Sequence, residues 1–189
     1  IDLDRIIRLA ADGYATPAHG VSLPGYESQG YDPHYKAPYT SKYDPEHAKK
    51  LLAQAGYPQA QGFQPLTLYM PSGISLYQKM SECIKEDLAK LGIKVNIISM
   101  PFSDLMSKTK EPGVTSWSGC FFAWGLDVPD MIHMFQIFYG KNAGGNNASG
   151  YNNPTFNKLY ERASELPSGP ERTALYKKMD ALLAEEVPS

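Results

Sequence analysis

Apolar residues recur at helical spacing most clearly over residues 74–91, where Ile74, Tyr77, Met80, Ile84, Leu88 and Leu91 share one face before Gly92. The period then changes to two. Ile93, Val95 and Ile97 alternate with Lys94 and Asn96, which predicts a strand, and Leu66-Thr67-Leu68-Tyr69-Met70 predicts another ahead of the helix. Strand, long helix and strand form a βαβ unit, so the two strands are expected to run parallel with a right-handed crossover.

Other elements follow the same logic. Residues 2–11 read as a helix with Leu3, Ile6, Ile7 and Ala10 on one stripe. Asp44 as N-cap, Pro45 in the first turn, the stripe Ala48, Leu51, Leu52 and Ala55, and Gly56 as the stop delimit a second helix. Residues 102–110 predict a short helix after Pro101, 119–123 a buried strand, and 131–138 an apolar helix. Asn153-Pro154 opens one more helix, with Phe156, Leu159, Tyr160 and Ala163 apolar. Ser168-Gly169-Pro170-Glu171 reads as a capping box for the last, with Leu175, Met179, Leu182 and Leu183 facing the core. The fold class expected is α/β: a layered sheet with a βαβ unit flanked by helices, with residues 1–189 as a single domain.

Residues 12–43 have no period. They carry Pro17, Pro24, Pro33 and Pro38 and six tyrosines: Tyr14, Tyr26, Tyr31, Tyr35, Tyr39 and Tyr43. A stretch this long is functional or laid over a partner surface, and its aromatics argue for an ordered wrap. Residues 141–150 are rich in Gly and Asn and read as a flexible loop without the G-K-S/T ending of a phosphate cradle. Asn147-Ala148-Ser149 also matches a glycosylation acceptor.

Composition removes several functions. Eighteen basic and 20 acidic residues, with no block of one sign, argue against nucleic acid as a partner. The uncharged run at 112–126 is too short and polar to span a bilayer. His19, His34, His47 and His133 are scattered and Cys83 and Cys120 form no C-x-x-C, so neither a metal site nor a cofactor is expected. Both cysteines are read as free, inert thiols, with a disulfide the alternative in an exported protein.

The chemistry concentrates at W-G-L-D-V-P-D, residues 124–130, where a strand pattern gives way to a helical one. An aromatic wall and a carboxylate three residues apart make a recognition corner for a cation or for hydroxyls. On pattern alone the plainer reading prevails: Trp124 in the core, and Asp127 or Asp130 as a cap.

In order along the chain, these segments resemble the distal lobe of the family 5 extracellular solute-binding proteins, the oligopeptide, dipeptide and nickel receptors of bacterial ABC importers. The resemblance is carried by I-D-x-D-R-I-I ahead of G-Y-A-T-P at 13–17 and by Y-D-P-E-H-A-K-K-L-L-A-Q-A-G-Y at 43–57. L-G-I-K-V at 91–95, the W-x-x-D-x-P-D corner, Y-N-N-P-T-F-N-K-L at 151–159 and P-S-G-P-E-R-T-A-L-Y at 167–176 complete it. It implies one lobe of a type II periplasmic binding protein-like fold, cut from a longer two-lobed receptor that closes over its ligand.

By that resemblance Asp127 matches the carboxylate that pairs with the α-ammonium of a bound peptide, which moves it from cap to ligand contact. Ligand binding is expected of Asp127, Trp124, Phe122, Asn147 and Tyr151, with Asn142 and Asn146 beside them as loop formers and Asp130 kept as a helix cap. Val128 and Met131 depart from the commoner D-Y-P-D-P, and the apolar neighbourhood of Phe121 and Phe122 lacks an arginine that some peptide-binding members carry. The function implied is solute capture, with a peptide as solute and ABC permease subunits in the membrane as partners, by a monomer that is periplasmic or extracellular and membrane-anchored. Two alternatives stand beside it. One is a hydrolase using Asp127 and Asp130 as paired carboxylates, although no nucleophile–base pair is apparent. The other is a stand-alone interaction module acting through the tyrosine-rich wrap.

Overall fold

The structure, a computed structural model, describes residues 1–17, 20–35, 43–109, 119–121 and 123–186. Where the sequence reading expects one domain, the contacts gather into two compact units: Ile1–Pro17 with Ser41–Phe122, and Ala18–Thr40 with Ala123–Ser189. Each has apolar packing of its own.

The first unit is built on the βαβ element. Helix α1 (Leu3–Ala10) and helix α2 (Pro45–Gln54) precede strand β1 (Leu66–Pro71). Helix α3 (Ser75–Ala89), strand β2 (Val95–Met100), helix α4 (Phe102–Thr109) and the short strand β3 (Gly119–Cys120) follow. The sheet order is β2-β1-β3 and both pairings are parallel, with Leu66 opposite Val95 and Leu68 opposite Gly119. The expected strand at 119–123 is shorter than its apolar run suggests: β3 holds two half-buried residues, and the Phe121 amide continues the ladder to the Tyr69 carbonyl at 3.0 Å. Phe122 lies outside the described residues.

Gly92 ends the α3 region at φ +84°, where a Cβ would come within 2.8 Å of the Gln59 carbonyl oxygen. Glycine is needed there for its backbone freedom and for space.

The inward face of α3 differs from the apolar stripe. Ile74 is 43% exposed, while Ser81, Cys83 and Asp87 are buried. The polar pair can turn inward because both are satisfied. Ser81 Oγ donates to the Gln78 carbonyl at 2.9 Å. Asp87 accepts from the Asp2 amide at 2.8 Å, Arg5 at 3.0 Å and Lys90 at 3.0 Å. Arg5 also pairs with Glu86. Around this polar anchor Ile6, Ala10 and Cys83 pack with Leu3, Met80 and Ile84. The α2 stripe is not buried either: Leu51 is 48% exposed and no residue of the helix is enclosed. Its capping is as read from the sequence, with Asp44 accepting from the His47 amide at 2.8 Å.

In the second unit the core is aromatic and thioether-rich. Met131, Met134, Phe135, Phe138, Phe156, Ala163, Tyr176, Met179 and Leu183 form one buried cluster. They come from helix α5 (Ile132–Phe135) with its 3-10 continuation Gln136–Phe138, helix α6 (Pro154–Glu165) and helix α7 (Pro170–Glu186). Asn153 caps α6 by accepting from the Thr155 and Phe156 amides. The capping box expected at α7 is absent from the hydrogen bonds of the described residues. Glu171 instead accepts from Arg162 at 2.9 Å.

The part of the tyrosine-rich stretch described in this unit, residues 20–35, lies over α7. Asp180 accepts from the Val21 amide at 2.7 Å and the Ser22 amide at 3.2 Å, and Thr173 Oγ1 donates to the Ser28 carbonyl at 2.6 Å. Gly30, at φ +108°, lets the chain pass where a Cβ would stand 2.9 Å from that of Tyr176.

Candidate functional site

Trp124 and Asp127 stand together in one corner of the second unit, and the corner's two acidic residues have opposite environments. Asp127 is exposed, and among the described residues its carboxylate has no hydrogen-bond or ion-pair partner. Asp130 is enclosed by partners. One oxygen accepts from the Ile132 amide at 3.1 Å and the Tyr176 hydroxyl at 2.7 Å, and the other meets Arg172 at 2.7 Å. Burial alone would raise the Asp130 pKa, but Tyr176, the Ile132 amide and Arg172 outweigh it and hold the carboxyl below its ordinary 3.8. Tyr176 is pushed the other way, first by burial and then by donating to a carboxylate. Asp130 therefore caps the turn into α5, as its position suggested, and also ties α5 to α7.

Trp124 takes the packing role read from the pattern. It is half-buried against the aromatic cluster, and its Nε1 donates to the His133 carbonyl at 3.0 Å. The indole is thereby fixed in place with part of its surface open.

The tip between these anchors is compact. The Asp130 amide donates to the Val128 carbonyl at 2.7 Å, a three-residue turn centred on Pro129, whose restricted φ suits that geometry. Gln29 grips the same backbone: Nε2 donates to the Pro129 carbonyl at 2.9 Å and Oε1 accepts from the Met131 amide at 2.8 Å.

Asn147 and Tyr151 form a separate group. Asn147 is 1% exposed, and its amide donates to the Tyr139 carbonyl at 3.1 Å and the Tyr151 carbonyl at 2.8 Å while its oxygen accepts from Ser149. Its hydrogen bonds close the loop that the sequence reads as flexible, so its side chain is engaged in the scaffold. Asn142 likewise bonds the Gln136 carbonyl, at 2.9 Å. Tyr151 packs its ring edge-on to Phe138 and Phe156 and donates its hydroxyl to Glu186 at 2.6 Å. Burial, then that bond, pushes its pKa up. No hydrogen bond or ring contact among the described residues joins this pair to the corner. In the first unit, Phe121 stacks on Tyr77 with centroids 6.3 Å apart.

Sequence reading missed Gln29, Arg172 and Tyr176. The last two stand four residues apart on one helix and so share a face, a signal that was available. Gln29 had none, because its loop has no period. Among the described residues, no cluster of three or more His, Cys, Asp or Glu could hold a metal, and no helix is long and apolar enough to cross a membrane. Both cysteines are free, and burial pushes the Cys120 thiol up to about 11.

The model of the bacterial extracellular solute-binding proteins, family 5 Middle, matches residues 1–146. Heme-binding protein A of Haemophilus influenzae is 33% identical over 150 residues, covering 77% of this chain and 26% of that protein. The glutathione-binding protein GsiB of Escherichia coli K12 is 30% identical over 202 residues, covering all of this chain and 36% of that protein. The periplasmic binding protein DppA of Helicobacter pylori, solved in complex with peptide STSA, superposes with a TM-score of 0.83 at 26% identity, over 100% of this chain and 35% of that one. The chain thus spans about a quarter to a third of the length of these relatives. The expected fold class, an α/β parallel sheet flanked by helices in a periplasmic binding protein fold, is the one found. On its sequence, this chain belongs to the bacterial extracellular solute-binding proteins of family 5.

Proposed function

We propose that this chain is the distal lobe of a substrate-capture receptor for a bacterial ABC importer, and that its solute is a peptide whose α-ammonium pairs with Asp127. The carrying observation is the contrast at the corner. Asp130 and Trp124 are committed to holding the structure, whereas Asp127 is presented exposed and unpartnered among the described residues. A carboxylate so placed, next to a fixed indole, suits a primary ammonium with an apolar neighbour. Relatives named for heme, glutathione and a bound peptide support solute capture as the shared activity, and the carboxylate is what favours an amine-bearing solute here.

Capture would work by closure of two lobes on the solute, the closed form being read by the permease subunits in the membrane. The chain would take no catalytic part. Asp130 cannot act as the second carboxylate of a hydrolytic pair while both of its oxygens are held by Arg172, Tyr176 and the Ile132 amide.

The test is competition binding on the full-length receptor, using an equimolar pool of di- to pentapeptides with free or N-acetylated amino termini. Retention of the free peptides over the acetylated ones is expected, and Asp127→Asn should erase about tenfold or more of that preference, the worth of one charge-assisted hydrogen bond. A preference that survives Asp127→Asn would overturn the amine pairing.

A further inference from the structure

We infer that Gln29 is the positioning residue of the Asp127 corner: its side-chain amide grips the backbone on both sides of residue 130 and so sets where the Asp127 carboxylate stands. The inference rests on the amine-binding reading of Asp127 and goes beyond it by assigning control of that group to another segment of the chain.

Packing does not hold the tip. Asp127, Val128 and Pro129 are all exposed, Val128 by 45%. The anchors lie on either side, with Trp124 bonded to the His133 carbonyl and Met131 fully buried. Between them the turn from Val128 to Asp130 is a small closed unit whose Asp130 end is held through its side chain by Tyr176 and Arg172, which leaves the backbone at Pro129 to be held by other means. Among the described residues, Gln29 is the one side chain from another segment that hydrogen-bonds the backbone of 127–131. It does so at two points, 2.9 Å to the Pro129 carbonyl and 2.8 Å from the Met131 amide, both well-formed lengths. Two contacts fix a direction as well as a distance. The arrangement is unambiguous, since a reversed amide would face donor to donor and acceptor to acceptor.

Gln29 is itself rigidly mounted. Its amide donates to the Tyr26 carbonyl at 2.9 Å in the 3-10 turn Glu27–Gln29, and the Ser28 carbonyl is tied to Thr173 of α7. Gly30, the next residue, presses against Tyr176, the residue that holds Asp130. The tyrosine-rich stretch therefore transmits the position of α7 to the recognition corner. An open cavity of about 670 Å³ borders Gln29, Ser28, Arg172 and Tyr176.

Gln29→Leu, of similar size, deletes both bonds; Gln29→Asn, one methylene shorter, serves if the leucine variant fails to fold. The full-length receptor is tested with the same pool of free and N-acetylated peptides, alongside Asp127→Asn, and amide exchange is followed at Met131 and Phe135. Gln29→Leu should speed exchange at Met131, leave Phe135 within α5 unchanged, and cut the preference for the free amine by about tenfold, the scale of a small misplacement of a recognition group. Simple loss of folded protein would lower free and acetylated binding together and leave their ratio intact, which overturns the positioning role. So does an unchanged ratio in Gln29→Leu while Asp127→Asn abolishes it. No amine preference in the wild type, with Asp127→Asn silent, overturns the amine reading itself and the role of Gln29 with it.

Discussion

The Tyr176 hydroxyl donates to the Asp130 carboxylate at 2.7 Å, across 46 residues of chain. Around this bond the ring of Tyr176 stacks on Phe135 with centroids 5.5 Å apart, and Arg172 closes the other carboxylate oxygen. Tyr176→Phe keeps the stacking and removes one hydrogen bond to a charged acceptor. It is expected to lower stability by about 1.5–3 kcal/mol, whereas Tyr176→Ala, which also opens a cavity, costs about 3–5 kcal/mol. Urea unfolding of the two variants measures both. Equal losses would mean that the hydroxyl contributes nothing beyond the ring.

Asp127→Asn should leave stability within about 0.5 kcal/mol of wild type, as expected of an exposed side chain without a partner. That neutrality makes its binding phenotype interpretable. A melting temperature lowered by several degrees would place the carboxylate in the scaffold and return it to the capping role.

Asn147→Ala should be costly for the opposite reason. It leaves the Tyr151 carbonyl without its donor and the Tyr139 carbonyl with the Asn142 amide alone, a penalty of about 1–3 kcal/mol. Thermal unfolding with and without solute separates the possibilities. A stable Asn147→Ala variant that had lost binding would restore Asn147 as a ligand contact.

Two carboxylates, the buried Asp87 and the half-buried Asp180, tilt the pH dependence in opposite directions. For Asp87, burial is outweighed by the Asp2 amide, Lys90 and Arg5, and the folded-state pKa falls below 3.8. Its stabilisation is complete above 3.8 and is lost as pH drops through the lowered value. For Asp180, burial dominates the amide hydrogen bonds and the folded-state pKa rises above 3.8. Its contribution is complete below 3.8 and is lost as pH rises through the raised value. Denaturant unfolding from about pH 2 to 7 should show Asp87→Asn flattening the acid limb of the stability profile and Asp180→Asn flattening the decline above it. Identical profiles for the two variants would contradict the assignment.

Local signals were legible wherever a residue acts through its own segment. Asp44 and Asn153 cap the helices they precede, Gly92 ends the α3 region, and the alternation through Val95 marks a strand parallel to β1. The same reasoning misjudged α3, because Ser81 and Asp87 turn inward on partners supplied partly by α1. At the site, Asp127 and Trp124 could be singled out by type and spacing. Their division of labour with Asp130 could not, since it depends on Tyr176 and Arg172 arriving from α7.

Sequence alone determined the α/β order of elements, the caps of α2 and α6, the stop after α3 and the family, because each follows from neighbours along the chain. Tertiary structure decided which carboxylate is free and which is committed, that Asn147 is scaffold, and that Gln29 holds the corner. Those outcomes hang on hydrogen bonds between groups remote in sequence, and such a bond leaves no period, spacing or composition by which to read it.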